Sequence, residues 1–396
     1  MSTRISRDAW VLIAFSSLHK LTDLFVGAFL VAYIMRLATN DIVAVSVFRL
    51  MEYITLMIGC FAIANWCKVY NKVFVFGLHL IAYVILMTAL VVLGDNVINQ
   101  LFMVGIMYGI VEAFYNFPYN LMVTEKIAAN QMARFISIKS AWRNAIRIIA
   151  PTILGLFITL GSFVDMARVM LVIICMEFGL LFMLGRSWHR DTKPIDFRGF
   201  AMRIMHFPVI RRMFFAEWLR GLADLMGTTI TMYTIYIFHT DLNLGIFTTI
   251  FSISTILASS LYSNYAQSRH FGFVARLCML GMVFGVGAFV ATPSQITFLI
   301  YGFSYATAFN IICHICDAIM FNVGQSRMVG RNYNPEYMAF REFALCSGRW
   351  AALILLMYIG VFGGVGFLRW SLIVMGAALI WALQISVGIS AKLKNK

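Results

Sequence analysis

Apolar runs of about 20 residues recur along the whole chain, and each is long enough to cross a bilayer as a helix. A soluble chain could not hide so much apolar surface, because 61% of the 396 residues are hydrophobic and only 12% are charged. We therefore predict an all-α membrane protein with twelve transmembrane helices. The runs lie at 10–35, 42–65, 73–94, 100–123, 137–161, 166–184, 212–237, 243–263, 272–291, 295–321, 338–362 and 366–390.

Lys and Arg residues concentrate in every second connection between these runs. Those connections and the two ends hold twenty of them, whereas the other connections hold only Arg36, Arg168 and Arg369. Cytoplasmic loops are enriched in Lys and Arg, so this asymmetry predicts that both termini and the long central connection lie in the cytoplasm. Topology also accounts for the net charge of +14, and nucleic acid is not expected as a partner.

The longest connection, 185–211, separates six runs from six and predicts three parts: an N-terminal half (1–184), a basic linker (185–211) and a C-terminal half (212–396). Within the linker, 197–207 reads as an interfacial amphipathic helix with Arg198 and Arg203 toward the headgroups; the alternative is a solvated linker. A weak internal repeat supports the two halves as parallel repeats. It matches Leu18, Leu21, Asp23 and Leu24 with Leu219, Leu222, Asp224 and Leu225, and Met132, Ala133 and Arg143 with Met338, Ala339 and Arg349.

Ionisable side chains inside a span are costly, so they usually face a cavity or a partner. His19 and Asp23 are four residues apart in span 1, and Arg220 and Asp224 stand at the equivalent positions in span 7. Such mid-span carboxylates suit a proton-coupling or substrate site. A static pair that neutralises buried charge is the alternative.

Span 5 carries Lys139, Arg143 and Arg147 at intervals of four residues, a spacing that predicts a cationic stripe. The stripe, with Arg349 in span 11, could bind an anionic group, since Arg grips carboxylate and phosphate well. It could equally pair with Glu112 and Glu52, because eight cations and eight anions lie inside the spans, away from their ends. Glu112 precedes Pro118 in span 4 and is either a substrate or proton site or a partner of the stripe.

Span 5 also contains Arg147-Ile-Ile-Ala-Pro151-Thr-Ile-Leu-Gly155, which resembles the Gly-Pro-x-x-Gly-Gly bend common in that helix of the major facilitator superfamily. With six spans, a basic loop and six spans, nearly all of the chain resembles that family. The loop after span 2 keeps only the basic Lys68 and Lys72 of the family signature, which indicates a divergent, bacterial branch. The resemblance implies a secondary active transporter that works by alternating access. It also implies that spans 3, 6, 9 and 12, whose interiors carry only His79 and Glu177, are lipid-facing supports.

We expect a monomer in a bacterial inner membrane that moves a small organic solute, with proton coupling favoured because no nucleotide-binding loop occurs. A lipid or amphiphile flippase of the same fold is the alternative, and a membrane-embedded enzyme or a non-transporting scaffold or sensor are weaker ones. We expect no catalysis, metal or cofactor: Cys313 and Cys316 form a Cys-x-x-Cys without a second pair, whereas a structural zinc site needs four ligands.

Overall fold

The structure, a computed structural model, describes residues 7–39, 41–126, 129–184, 195–238, 240–265, 271–324, 326, 328–329 and 333–394. Over these ranges nearly all residues are helical and no strand occurs, so the prediction of an all-α fold is confirmed. Residues 185–194 of the predicted linker, and basic residues such as Arg4 and Arg269, lie outside the described ranges.

The α-helices follow one another with short breaks. They are α1 (Arg7–Leu24), α2 (Val31–Leu37), α3 (Ile42–Val69), α4 (Lys72–Leu93), α5 (Leu101–Lys126), α6 (Ala129–Leu160), α7 (Phe163–Met183), α8 (Phe197–His206), α9 (Pro208–Asp224), α10 (Met226–Phe238), α11 (Asp241–Tyr265), α12 (Phe271–Ala291), α13 (Gln295–Ser304), α14 (Asn310–Gly324), α15 (Asn334–Gly363) and α16 (Leu368–Lys394). π-Helical segments, Phe25–Leu30 and Tyr305–Phe309, join α1 to α2 and α13 to α14.

Nine helical stretches of the described chain are long and apolar enough to cross a membrane, which makes this a multi-pass membrane protein. Every predicted run coincides with a helical stretch. Two of these stretches are not long and apolar enough to count among the nine: α6, in which only 145–160 is apolar, and the pair α9 and α10. Both carry several charged residues. The count of twelve crossings therefore stays a prediction. The helix α6 extends beyond the N-terminal end of predicted span 5, since it begins at Ala129 with a polar turn.

The chain forms two compact units. The first comprises 1–40, 47–195 and 238–249, and the second comprises 41–46, 196–237 and 250–396.

In the first unit, α3 and α5 pack with almost no space between their backbones. A Cβ atom added at Gly105 would lie 2.5 Å from the carbonyl oxygen of Phe48, and one at Gly109 would lie 2.4 Å from that of Glu52. Small residues four apart allow membrane helices to approach closely. This contact fixes the part of α3 that carries Arg49 and Glu52 against α5.

The second unit is built around α9, which packs against α15 and α16. At the crossing with α15, a Cβ at Gly221 would lie 2.1 Å from the carbonyl oxygen of Leu345, and one at Gly348 would lie 2.0 Å from that of Trp218. The two glycines let α9 and α15 bring their charged side chains together.

Residues 197–206 of the predicted linker form a helix, α8, as expected. Asp196 caps it, accepting a hydrogen bond from the Gly199 amide at 2.7 Å. Arg203 does not reach away from the protein as predicted. Its Nη1 donates to the carbonyl oxygens of Met328 and Val329 at 3.3 and 3.4 Å, because carbonyls outside helices need other donors.

Candidate functional site

Asp23 lies at the end of α1, where the regular helix gives way to the π-helical segment. Its carboxylate accepts hydrogen bonds from Lys20 and, at 2.9 Å, from the Tyr108 hydroxyl of α5. The carboxylate is therefore held by Lys20 rather than by His19, although both spacings place a partner on the same helical face. About a quarter of the Asp23 side chain is exposed, at 26%, so it is not sealed in the core.

Arg49 and Glu52 form a sealed pair beside this segment. Nη1 of Arg49 lies 2.6 Å from Oε2 of Glu52, and the two side chains are 7% and 5% exposed. Nη2 of Arg49 also donates to the carbonyl oxygen of Gly27 in the π-helical segment, where helical bonding is irregular. Arg49 thus neutralises Glu52 and supports the bend that follows Asp23.

The partners that the structure gives Glu112 lie outside the cationic stripe. Its Oε2 accepts a hydrogen bond from Asn116 at 2.8 Å, and its Oε1 lies 3.7 Å from Nε2 of His19. The His19 ring stacks on Tyr115 with ring centroids 3.4 Å apart. The structure therefore gives Glu112 the partners Asn116 and His19. It does not show the alternative considered above, in which Glu112 pairs with Arg143 or Arg147.

The stripe itself is half-buried on α6. Lys139 lies over the Tyr119 ring at 4.4 Å, and Arg143 follows it on α6 by four residues. Among the described residues, neither Lys139 nor Arg143 forms an ion pair with a carboxylate. Arg147, the third residue of the stripe, does interact with other residues and is not counted as unpaired.

Asp224 and Arg349 join α9 to α15 in the second unit. Nε and Nη2 of Arg349 donate to one carboxylate oxygen at 3.0 and 2.7 Å. The side chains are 20% and 19% exposed. Asp224 is the repeat-equivalent of Asp23, so each unit contains a half-buried carboxylate held by one cation.

Arg220, by contrast, belongs to a dense network. Its Nη1 lies 3.3 Å from Glu217 and 2.7 Å from Asp317, and Arg341 contacts the same two carboxylates. Glu217 is 1% exposed. Each charge in the network has an opposite charge beside it, including Glu342, which lies 3.1 Å from Arg341. This favours a structural role for Arg220 over the substrate contact considered for it.

Two residues that the sequence analysis assigned to supporting helices come together with His19. They are His79 of α4 and Glu177 of α7. One side-chain nitrogen or oxygen atom from each of the three residues lies within 4.8 Å of those of the other two. All three side chains are buried. Sequence reasoning missed this cluster, although His79 and Glu177 stood out as lone ionisable residues in otherwise apolar spans.

Comparisons with solved structures identify the fold. A bacterial homologue of the iron transporter ferroportin, in an inward-facing state, matches with a TM-score of 0.73 and 13% identity, covering 97% of this chain and 98% of that one. The nucleoside transporter NupG matches with a TM-score of 0.69 and 12% identity over 97% and 100% of the two chains. A bacterial metal transporter matches with a TM-score of 0.62 and 13% identity over 98% and 99%.

No family model matches the sequence, and no curated protein sequence matches it either. The chain therefore has the fold of membrane transporters, shared along nearly its whole length. At such low identity these likenesses establish the fold alone.

Proposed function

We propose that this protein is a secondary active transporter of the major facilitator type that moves a small organic solute bearing an anionic group across the cytoplasmic membrane. The similar structures are of iron, metal and nucleoside transporters. Those names differ too much to indicate a solute, so its class has to come from the residues of this chain.

The observation that carries the proposal is the distribution of ion pairs in the first unit. Four of its buried and half-buried carboxylates are held by groups other than Lys139 and Arg143. Asp23 is held by Lys20, Glu52 by Arg49, Asp241 by Arg36, and Glu112 by Asn116, with His19 beside it. Internal pairing thus leaves two cations of the stripe without a carboxylate among the described residues.

Lys139 and Arg143 fall within the predicted span 137–161, where uncompensated charge is costly unless it faces water or a ligand. Lys139 and Arg143 are half-buried, so part of each side chain is exposed. An Arg and a Lys one helical turn apart suit a carboxylate or phosphate, and Tyr119 beside them offers an aromatic face. An anionic solute would supply the missing charge.

Proton coupling is proposed for the half-buried carboxylates, above all Asp224. A proton on Asp224 would replace Arg349 as its partner and free the α9–α15 connection, whereas a sealed pair such as Arg49 and Glu52 cannot exchange with water. Alternating access would then depend on whether this pair is formed.

A binding screen tests the proposed solute class. Purified protein would be melted with a panel of small carboxylates and organic phosphates, each beside its neutral amide or alcohol analogue. Anionic compounds should stabilise the wild type and Arg168→Gln, a control that removes a cation from an exposed pair. They should not stabilise Arg143→Gln or Lys139→Gln. Equal stabilisation of all four proteins, or stabilisation by neutral analogues, would refute the anionic class, and stabilisation by lipids alone would favour a flippase.

A further inference from the structure

Three polar side chains meet in the apolar interior of the first unit. His19 of α1 is 5% exposed, and His79 of α4 and Glu177 of α7 are 0% exposed. The aromatic rings of Phe15 and Phe76 pack around His79. Buried polar groups are normally hydrogen-bonded, so the partners of these three residues define what the cluster can do.

The position of one proton on His79 follows from its surroundings. Its Nδ1 lies 2.7 Å from the carbonyl oxygen of Phe76, and a carbonyl can only accept, so Nδ1 carries a proton. In the neutral ring, Nε2 then presents a lone pair. A hydrogen bond from the second ring nitrogen to a backbone carbonyl is also how metal-binding histidines are oriented.

That lone pair faces the carboxylate of Glu177. Nε2 of His79 lies 3.6 Å from Oε2 of Glu177, which is too long for a direct hydrogen bond. Among the described residues, neither of these atoms has a hydrogen-bond partner, and the same holds for Oε1 of Glu177 and Nδ1 of His19. Two acceptors that face each other in an apolar site need a positive centre between them.

We propose that His19, His79 and Glu177 bind a divalent transition-metal ion such as Zn²⁺ or Fe²⁺. Two imidazole nitrogens and one carboxylate oxygen suit these ions rather than Ca²⁺ or Mg²⁺, which prefer oxygen ligands. Bonds of about 2.0–2.1 Å in a tetrahedral site place ligand atoms about 3.3–3.4 Å apart. The 3.6 Å between His79 and Glu177 is close to that spacing.

A proton shared by His79 and Glu177 is the competing explanation, but it leaves Nδ1 of His19 without a partner. An ion uses all three residues. The site is sealed, so the ion would be resident and would tie α1, α4 and α7 together. This role is separate from solute transport and does not depend on the stripe.

The test measures metal content and the visible spectrum of purified full-length protein. After loading with Zn²⁺ and dialysis, the wild type and His206→Gln, a control at an exposed histidine of α8, should each retain one equivalent. His79→Gln and Glu177→Gln should retain none. Loading the wild type with Co²⁺ should give the visible bands of a tetrahedral site, a readout that needs no variant.

The competing explanation predicts different results. The side-chain amide introduced by Glu177→Gln can donate a hydrogen bond to Nε2 of His79, so a shared proton predicts unchanged or higher thermal stability for this variant. If the wild type retains no Zn²⁺ and gives no Co²⁺ bands, the proposal is wrong. If metal raises the melting temperature of the wild type and His206→Gln but not of the two ligand variants, it is supported.

Discussion

Two nitrogen atoms of Arg349 donate hydrogen bonds to one carboxylate oxygen of Asp224, and each side chain is about one-fifth exposed. Asp224→Asn removes the negative charge to which two donors of the half-buried Arg349 bind. We expect the free energy of unfolding to fall by about 1.5–3 kcal/mol, the range for hydrogen bonds to charged groups. Thermal melts of the wild type, both single variants and Asp224→Asn/Arg349→Gln form a double-mutant cycle. Additive effects would show that the pair contributes nothing as a pair.

Arg49 makes a sharper prediction, because its pair with Glu52 is sealed and it also binds the Gly27 carbonyl. Arg49→Gln leaves Glu52 buried without its cation, and losing one partner of a buried pair costs about 3–5 kcal/mol. Arg49→Lys should also destabilise, since one ammonium cannot reproduce the Arg fork. Melting temperatures compared with those of Arg168→Gln check this. Equal stability of Arg49→Gln and Arg168→Gln would contradict the assigned role.

The choice between Lys20 and His19 as partner of Asp23 shows where sequence reasoning stops at this scale. Residues three and four apart both share a helical face, so both pairings were open. The neighbours decide: Tyr115 stacks on the His19 ring, and Lys20 is left to bind Asp23. Spacing along one helix cannot contain that information, because Tyr115 comes from α5.

At the scale of helices, a substitution in α5 tests how closely this helix approaches α3. Gly109→Ala adds a Cβ that would lie 2.4 Å from a backbone oxygen of α3, so the helices must separate. Overpacking typically costs about 1–3 kcal/mol, and we expect a clear fall in melting temperature. Gly179→Ala in α7 is the matched control, since its Cβ meets nothing within 4 Å. Equal melting temperatures would show that the α3–α5 contact is looser than described.

Helices were predicted well from sequence where apolarity alone defines them. The π-helical segments at Phe25–Leu30 and Tyr305–Phe309 were not predicted, because an extra residue in a turn leaves the apolar pattern nearly unchanged. The cluster around His79 and Glu177 could have been suspected, since a lone ionisable residue in each of two apolar spans needs a buried partner. The sequence does not show that the two side chains lie together, because this depends on the packing of α4 against α7.

For the whole molecule, the distribution of Lys and Arg predicts that α8 faces the cytoplasm and that the turn before α7 faces outside. Cysteine introduced by Ser162→Cys should react with a membrane-impermeant maleimide in intact cells. Cysteine introduced by His206→Cys should react only after the membrane is opened. The background from native cysteines is measured in the wild type, because Cys175 is exposed. The reverse labelling pattern would invert the predicted topology.

Transport in proteoliposomes tests the central claim most directly. The anionic compound that stabilises the protein most would be added outside vesicles holding a pH-sensitive dye, with wild type, Arg143→Gln, Asp224→Asn or Arg168→Gln in the membrane. We predict compound uptake with proton movement for the wild type and Arg168→Gln, no uptake for Arg143→Gln, and loss of proton movement for Asp224→Asn. Binding without uptake by the wild type, or uptake that Arg143→Gln leaves unchanged, would contradict a transporter that binds its anionic solute at the stripe.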